Sequence, residues 1–199
     1  MSELEDLHEE IKQCQKCHLR EGCTQVVPGD GADTATIMFV GEGPGEREDQ
    51  MGIPFVGRGG QLLRGHMAAT GILQKKHLWY ISNIIRCRAP DNRDPHPDEV
   101  EACWGWTLRA LKIISPKILV PLGKSSLYPL ARRLGFSNKI GQLTITKLAG
   151  KPFYVESRKI YVMPFFHPAY AMRRRDVDEE FRSHMMYLSK AYQGWSERK

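Results

Sequence analysis

No stretch of this 199-residue sequence is apolar for long enough to span a membrane, and its opening, MSELEDLHEEIKQC, is charged throughout. A bilayer crossing needs about 20 apolar residues and a secretory leader needs an apolar centre. Both are missing, so a cytoplasmic location and no membrane partner are the expectation. Internal repeats and low-complexity tracts are absent too, which excludes solenoids and compositionally biased tails. Cysteine is sparse: five residues with no export signal point away from a disulfide framework and toward a metal site or reactive thiols. Neither sign of charge dominates. Lys and Arg number 29 against 23 Asp and Glu, which permits a polyanionic partner such as nucleic acid without requiring one. The length suits one domain, residues 1–199, with a proper core.

What is present alternates between helical and strand patterns. Leu4, Leu7 and Ile11 recur at helical spacing. TIMFV (36–40) reads as a buried strand, QLLRGHMAA as a helix and LWYISNII as a second strand. Residues 97–114 form the clearest helix, opened by Pro97 with Asp98 and Glu99 in its first turn and stopped before Pro116. KILVPL is a third strand, and SSLYPLARRL a helix ending at Gly135. KPFYVES and KIYVMPFF pair as a hairpin whose second arm is the last core strand, and a final amphipathic helix runs from about 177 to 192. Short β-rich strands alternating with helices predict an α/β domain with a mainly parallel sheet, and residues 22–35 and 86–96 are its long loops.

Ligands of open parallel sheets bind beyond the carboxyl ends of the strands. GEGPG follows strand one, Asn83 ends strand two, LGKSS follows strand three and FHPAY follows the last strand. Four unusual segments therefore converge on one rim. The first continues as GEGPGEREDQMGIPFVGRGG (41–60), rich in glycine yet carrying Glu42, Glu46, Glu48 and Asp49, which would repel a phosphate. Nucleotide readings fail on spacing as well. Gly41 and Gly43 lead to Glu46 where a dinucleotide fingerprint has its third glycine, and Ile118 stands where a P-loop ending in GKSS needs its first.

Cys14 and Cys17 form a C-x-x-C pair; Cys87 and Cys103 lie in the loop after strand two and in the following helix. Four thiolates from these two regions suit zinc or an iron–sulfur cluster. The spacing matches neither a compact zinc finger nor a ferredoxin run, so the metal stays open at this point, as does the alternative of buried, unligated cysteines. Cys23 is one thiol too many for four ligands and is read as a bystander.

GEGPGEREDQMGIPFVGRGGQLL, NIIRCRAPDNRDP and HPAYAMRRR, in this order and with Cys14, Cys17, Cys87 and Cys103, make the chain similar to the family 4 uracil-DNA glycosylases, the iron–sulfur uracil glycosylases found largely in bacteria and archaea. The resemblance runs from Cys14 to the last helix. It implies a three-layer α/β/α fold around a four-stranded, mainly parallel sheet. It also implies that the four cysteines hold a [4Fe-4S] cluster with a structural role, and that the chain is a monofunctional hydrolase acting as a monomer on uracil in single- or double-stranded DNA. A related DNA-polymerase-associated group shares the domain, so the alternative is a non-catalytic iron–sulfur DNA-binding module attached to replication machinery.

The resemblance also assigns roles. A flipped uracil would stack on Phe55, and Asn83 would read its O4 and N3–H with one donor and one acceptor. His167 would stabilise charge developing at O2. Cleavage builds positive charge on the sugar, which gives the acidic loop a purpose: Glu42 and Asp49 as catalytic carboxylates, Glu48 as the alternate. Gly41 and Gly43 would let the backbone approach the nucleotide, and Asn92 is a further candidate in the site. Arg86, Arg88, Arg93 and Arg173 would grip phosphates, with Tyr170 or Met172 wedged into the gap left by the flipped base. Relative to the first family of uracil glycosylases, Gly43 replaces a water-activating aspartate and Gly45 a thymine-excluding tyrosine. RCRAPDNR and Arg58 depart from the usual family pattern, with the expectation that neither departure touches the pocket residues. The segment after strand two has no histidine-bearing insertion of the kind that captures DNA covalently, and no covalent capture is expected.

Overall fold

Five consecutive buried residues, Ile37–Gly41, form the strand β2 at the centre of a six-stranded sheet in the computed structural model, which describes residues 2–196. The other strands are β1 (Asp30–Gly31), β3 (Trp79–Asn83), β4 (Ile118–Pro121), β5 (Phe153–Val155) and β6 (Ile160–Val162), in the order β1-β3-β2-β4-β6-β5. The inner four run parallel, in the register Gly41↔Asn83 and Ile37↔Ile118, and the two short edge strands are antiparallel. Inner parallel strands are buried on both faces, which is why they read as unbroken apolar runs. The four-stranded parallel sheet is as the sequence predicts; β1 lies within the expected long loop 22–35.

The ten α-helices among the described residues are α1 (Glu3–Lys12), α2 (Leu19–Gly22), α3 (Glu46–Met51), α4 (Arg58–Ala69), α5 (Pro97–Ile114), α6 (Lys124–Leu134), α7 (Ser137–Ile140), α8 (Ile145–Leu148), α9 (Pro168–Ala171) and α10 (Arg175–Ser196). Met38, Val40 and Leu119 point into a core closed by α1, α5 and α6; Ile37, Phe39 and Val120 point the other way, against α4 and α10. That alternation makes three layers. Among the described residues no helix is long and apolar enough to cross a membrane.

Local chemistry sets the element ends. Ser2 and Glu5 form a capping box on α1, Pro97 opens α5, and Gly135, left-handed at φ 80°, closes α6. α3 interrupts what the sequence suggests is continuous loop; Gly45 precedes it and Gly52, at φ 69°, stops it. The rim formed by the carboxyl ends of β2, β3, β4 and β6 carries Gly41, Asn83, the start of α6 and His167.

Candidate active site and thiol group

Register brings the first two site residues together. Gly41 lies beside Asn83 across β2 and β3, and a methyl group in place of its hydrogen would sit 2.4 Å from Phe55 Cζ and 2.5 Å from Asn83 Oδ1. Glycine is therefore required there by space, since its φ is not left-handed. Asn83 is 1% exposed, and its Oδ1 has no hydrogen-bond partner among the described residues. A buried acceptor left unpaired is costly and asks for a donor.

Phe55 is held in a left-handed conformation, φ 55°, that costs a side-chain-bearing residue about 1–2 kcal/mol. The turn is over-determined by its neighbours. Glu48 accepts from the N–H groups of Val56 (2.9 Å) and Gly57 (2.7 Å). Arg64 donates to the carbonyls of Phe55 and Pro54, both at 3.0 Å, and to Asp30 at 2.5 Å. The Phe55 ring ends 6.4 Å from that of His167, tilted by 41°.

His167 caps α9, its Nδ1 accepting from the N–H of Ala169 at 3.2 Å. Burial lowers its pKa to about 4, with Glu48 pulling the other way. The ring is thus neutral near pH 7, and because Nδ1 is an acceptor its proton resides on Nε2. Gly123, at φ 87°, explains LGKSS: a Cβ there would lie 2.9 Å from that of His167. The motif makes room for the histidine loop.

The carboxylates separate into different roles. Glu42 is half-buried; burial raises its pKa, against opposing hydrogen bonding by Ser125 and the charge of Lys124, while Asp94 adds to the rise. Glu48 lines the cleft but is occupied by the Phe55 turn. Asp49, expected to be catalytic, is not in the cleft. It is 4% exposed, and both its oxygens accept from Thr24 N, at 3.0 and 3.1 Å. Adjacent helical residues point about 100° apart, so α3 turns Glu48 to the cleft and Asp49 toward the segment after Cys23.

A cleft of about 500 Å³ opens beside Phe55 and Asn83, lined by Gly43, Asn92, Met172 and Arg173 among others, while Gly41, Glu42 and His167 stand behind its lining. Arg47 and Arg58 also line it; both are exposed, and neither is among the arginines picked from sequence. Their position on α3 and at the start of α4 is the signal that was missed. Tyr170 and Met172 are 44% and 37% exposed at the same rim. Arg88 donates to Asn92 Oδ1 at 3.0 Å. One predicted phosphate grip, Arg86, is corrected by its burial, and another, Arg93, has a protein partner. Arg93 is turned to the fully buried Glu99, meeting its two oxygens at 2.5 and 2.9 Å. Arg86 is 1% exposed and donates to the Asn83 carbonyl and to Thr107 Oγ1. Flanking sequence makes both look like loop cations, but the chain encloses Arg86 and pairs the partly exposed Arg93 with Glu99.

Cys14, Cys17, Cys87 and Cys103 gather at one place. A charge on Cys103 is opposed by Cys17 and Cys14, and one on Cys87 by Cys103 and Cys17; burial pushes the thiols of Cys17, Cys87 and Cys103 up. Trp106 donates to Cys14 Sγ at 3.2 Å. Cys23 is not remote either, since it opposes a charge on Cys87, while its thiol donates to the Arg20 carbonyl at 3.6 Å. Among the described residues no group of three or more His, Cys, Asp or Glu is set as a single metal ion requires. Cys14, Cys87 and Cys103 act on the buried Arg86, whose Nε has no partner among the described residues, and a thiol-rich donor set beside a buried cation suits an iron–sulfur cluster.

The model of the uracil DNA glycosylase superfamily matches residues 28–189. The chain is 39% identical over 185 residues to the type-4 uracil-DNA glycosylase of Archaeoglobus fulgidus, covering 92% of this chain and 90% of that protein. It is 40% identical to the type-4 enzyme of Sulfurisphaera tokodaii, over 92% of this chain and 83% of that one, and 40% identical to that of Thermotoga maritima, over 86% and 84%.

Proposed function

The chain belongs to the uracil DNA glycosylase superfamily, and from that premise we propose that it is a DNA-repair hydrolase that flips uracil out of DNA and cleaves its N-glycosidic bond. The observation that carries the reading is the buried, unpaired Oδ1 of Asn83, beside the strained Phe55. Uracil offers N3–H to that oxygen and O4 to the amide Nδ2, a pairing that cytosine reverses. A mismatched base would leave buried polar groups unpaired, which supports rejection by orders of magnitude. Phe55 takes the base face.

As the bond from N1 to C1′ lengthens, electrons move onto the base and positive charge grows on the sugar. His167 donates from Nε2 to O2 as a neutral imidazole, so it stabilises the leaving anion without first giving up a proton. Loss of one such donor costs roughly 10²–10³ in rate. Glu42 faces the developing cation and takes the proton of the water whose hydroxyl ends on C1′. Arg47, Arg58 and Arg173 give the salt-dependent phosphate contacts, and Met172 or Tyr170 fills the space the base leaves. Cys14, Cys17, Cys87 and Cys103 would hold a [4Fe-4S] cluster, which supplies folding free energy and a fixed loop after β3.

The test is cleavage of labelled oligonucleotides carrying U·G, U·A, single-stranded U or T·G, with alkali revealing abasic sites. Cleavage at uracil and not thymine is expected, with a large loss in Asn83→Ala and His167→Ala. An iron-loaded protein that binds DNA and leaves every uracil intact overturns the enzyme reading in favour of a binding module.

A further inference from the structure

The far end of the sheet carries a second groove, of about 370 Å³. β4 and β6 run parallel, and Lys117 and Lys159 stand immediately before their first residues, Ile118 and Ile160. The groove therefore lies at the amino ends of the strands, whereas Gly41 and Asn83 mark the carboxyl ends. Its floor is aliphatic: Leu108 and Leu111 from α5, Leu134 from the end of α6, and Ile160. Leu108 is half-buried and belongs to neither core layer, so core packing does not account for it. The rim is cationic. Lys117, Arg158 and Lys159 are exposed, and no carboxylate lines the groove. Among the described residues neither lysine has an ion pair, and Arg158 donates only through Nε, to the Leu134 carbonyl at 3.2 Å. Lys112 lines the groove too, but it also borders Glu3 and Asp6 in the neighbouring depression, so the unbalanced charge rests on the other three.

We propose that this groove docks an acidic peptide segment of a partner protein, one or two apolar side chains resting on the aliphatic floor while carboxylates pair with Lys117, Arg158 and Lys159. Apolar anchors supply the affinity of such contacts, and complementary charge at the rim supplies orientation and association rate. The volume is near the lower end of the range for ligand sites, about 300–1,000 Å³, which suits side chains and not a whole domain. Nucleic acid is the poorer fit, because no aromatic side chain lines the floor to stack on a base. The backbone adds an independent observation. Of the five non-glycine residues with left-handed φ among the described residues, two line this groove, Ser115 at 47° and Lys159 at 50°. Phe55 and Asn92 line the base cleft, and Asp91 precedes Asn92. Glycine takes that conformation without strain, as Gly135 does after α6, and strained positions cluster at binding sites. A partner held here leaves the DNA end of the sheet free, so docking and base cleavage are independent.

The purified protein is screened against an array of octapeptides in which two apolar residues, at varied spacing, are surrounded by aspartate and glutamate. The tightest binder is carried to fluorescence anisotropy beside two counterparts, one with Asn and Gln for the acids and one with Ser for the apolar pair. Saturable binding that weakens as salt rises is expected, with each counterpart roughly tenfold weaker or worse. The double variant Lys117→Glu, Lys159→Glu and the single variant Leu108→Ser should each lose binding to a similar degree. Both should keep the parental circular dichroism spectrum and melting temperature, and their affinity for uracil-free single-stranded DNA. If the double variant does not fold, Leu108→Ser decides. Failure of every acidic peptide to bind more tightly than its uncharged counterpart overturns the proposal, and so does parental binding by a folded variant. Three further outcomes also overturn it. Loss of single-stranded DNA binding in the double variant assigns the groove to nucleic acid. Loss of sedimentation with phosphatidylglycerol vesicles assigns it to a membrane surface, and a parental dimer that the double variant dissociates assigns it to a second copy of this chain.

Discussion

Gly41→Ala is the smallest perturbation that tests the pocket. The added methyl would lie 2.4 Å from Phe55 Cζ, 2.8 Å from Phe55 Cε2 and 2.5 Å from Asn83 Oδ1. Carbon–carbon contacts settle at about 3.5–4.0 Å, so one or both side chains must retreat by about 1 Å. Neither can do so cheaply. Phe55 belongs to a left-handed turn fixed by Glu48 and Arg64, and Asn83 sits in the sheet ladder. Overpacking of this kind costs about 1–3 kcal/mol of stability, which a folded domain survives. A displacement of about 1 Å at reacting groups costs roughly 100-fold in rate. The expected result is a folded protein with a modestly lower melting temperature, parental iron content and single-turnover cleavage of uracil-DNA reduced about 100-fold. DNA affinity at the arginine rim should be nearly unchanged. Since the φ of Gly41 is not left-handed, backbone strain cannot account for a loss. Cleavage within a few-fold of the parent would refute the proposal that Phe55 and Asn83 together form the base pocket.

The other predictions concern charge. His167 falls from 6.5 when unfolded to about 4 when folded, a difference of about 3 kcal/mol. That stability is fully present above pH 6.5, is lost as pH falls toward 4 and then levels off; in chemical denaturation His167→Asn should flatten this acid limb relative to the parent. Glu42→Gln should cut cleavage sharply and remove the loss of rate at acid pH, because the parental carboxylate, raised by burial, protonates as pH falls through its pKa. Asp49→Asn should keep the acid limb and most of the cleavage while lowering thermal stability through weaker contact with Thr24. Arg173→Ala should weaken DNA binding and reduce the slope of log affinity against log salt by about 1. Arg93→Met should leave that slope alone and lower the melting temperature modestly, since the buried Glu99 loses one partner but keeps His18 Nε2 at 2.8 Å and the His96 N–H at 2.7 Å.

Much of this was legible in one dimension because its cause is local. Unbroken apolar runs marked the inner strands, Pro97 and Pro116 bracketed α5, and strand ends located the rim with Asn83 and His167. The motif order that carries the family resemblance is likewise written in residue identities and spacings. Direction was not legible, because a side chain's orientation depends on the helix or turn that carries it and on what packs against it. Glu48 and Asp49 are neighbours in sequence, yet α3 sends one to the cleft and the other to Thr24. Arg86 and Arg93 have the flanks of DNA-binding cations, but one is enclosed between the cysteines and β3 and the other paired to Glu99. Arg47 and Arg58 reach the cleft because α3 and the start of α4 lie along its edge. Sequence by itself determined which chemistry the chain carries and on which rim. Only the tertiary structure decided which charges face the cleft and which are buried, since that depends on contacts between residues far apart in the chain.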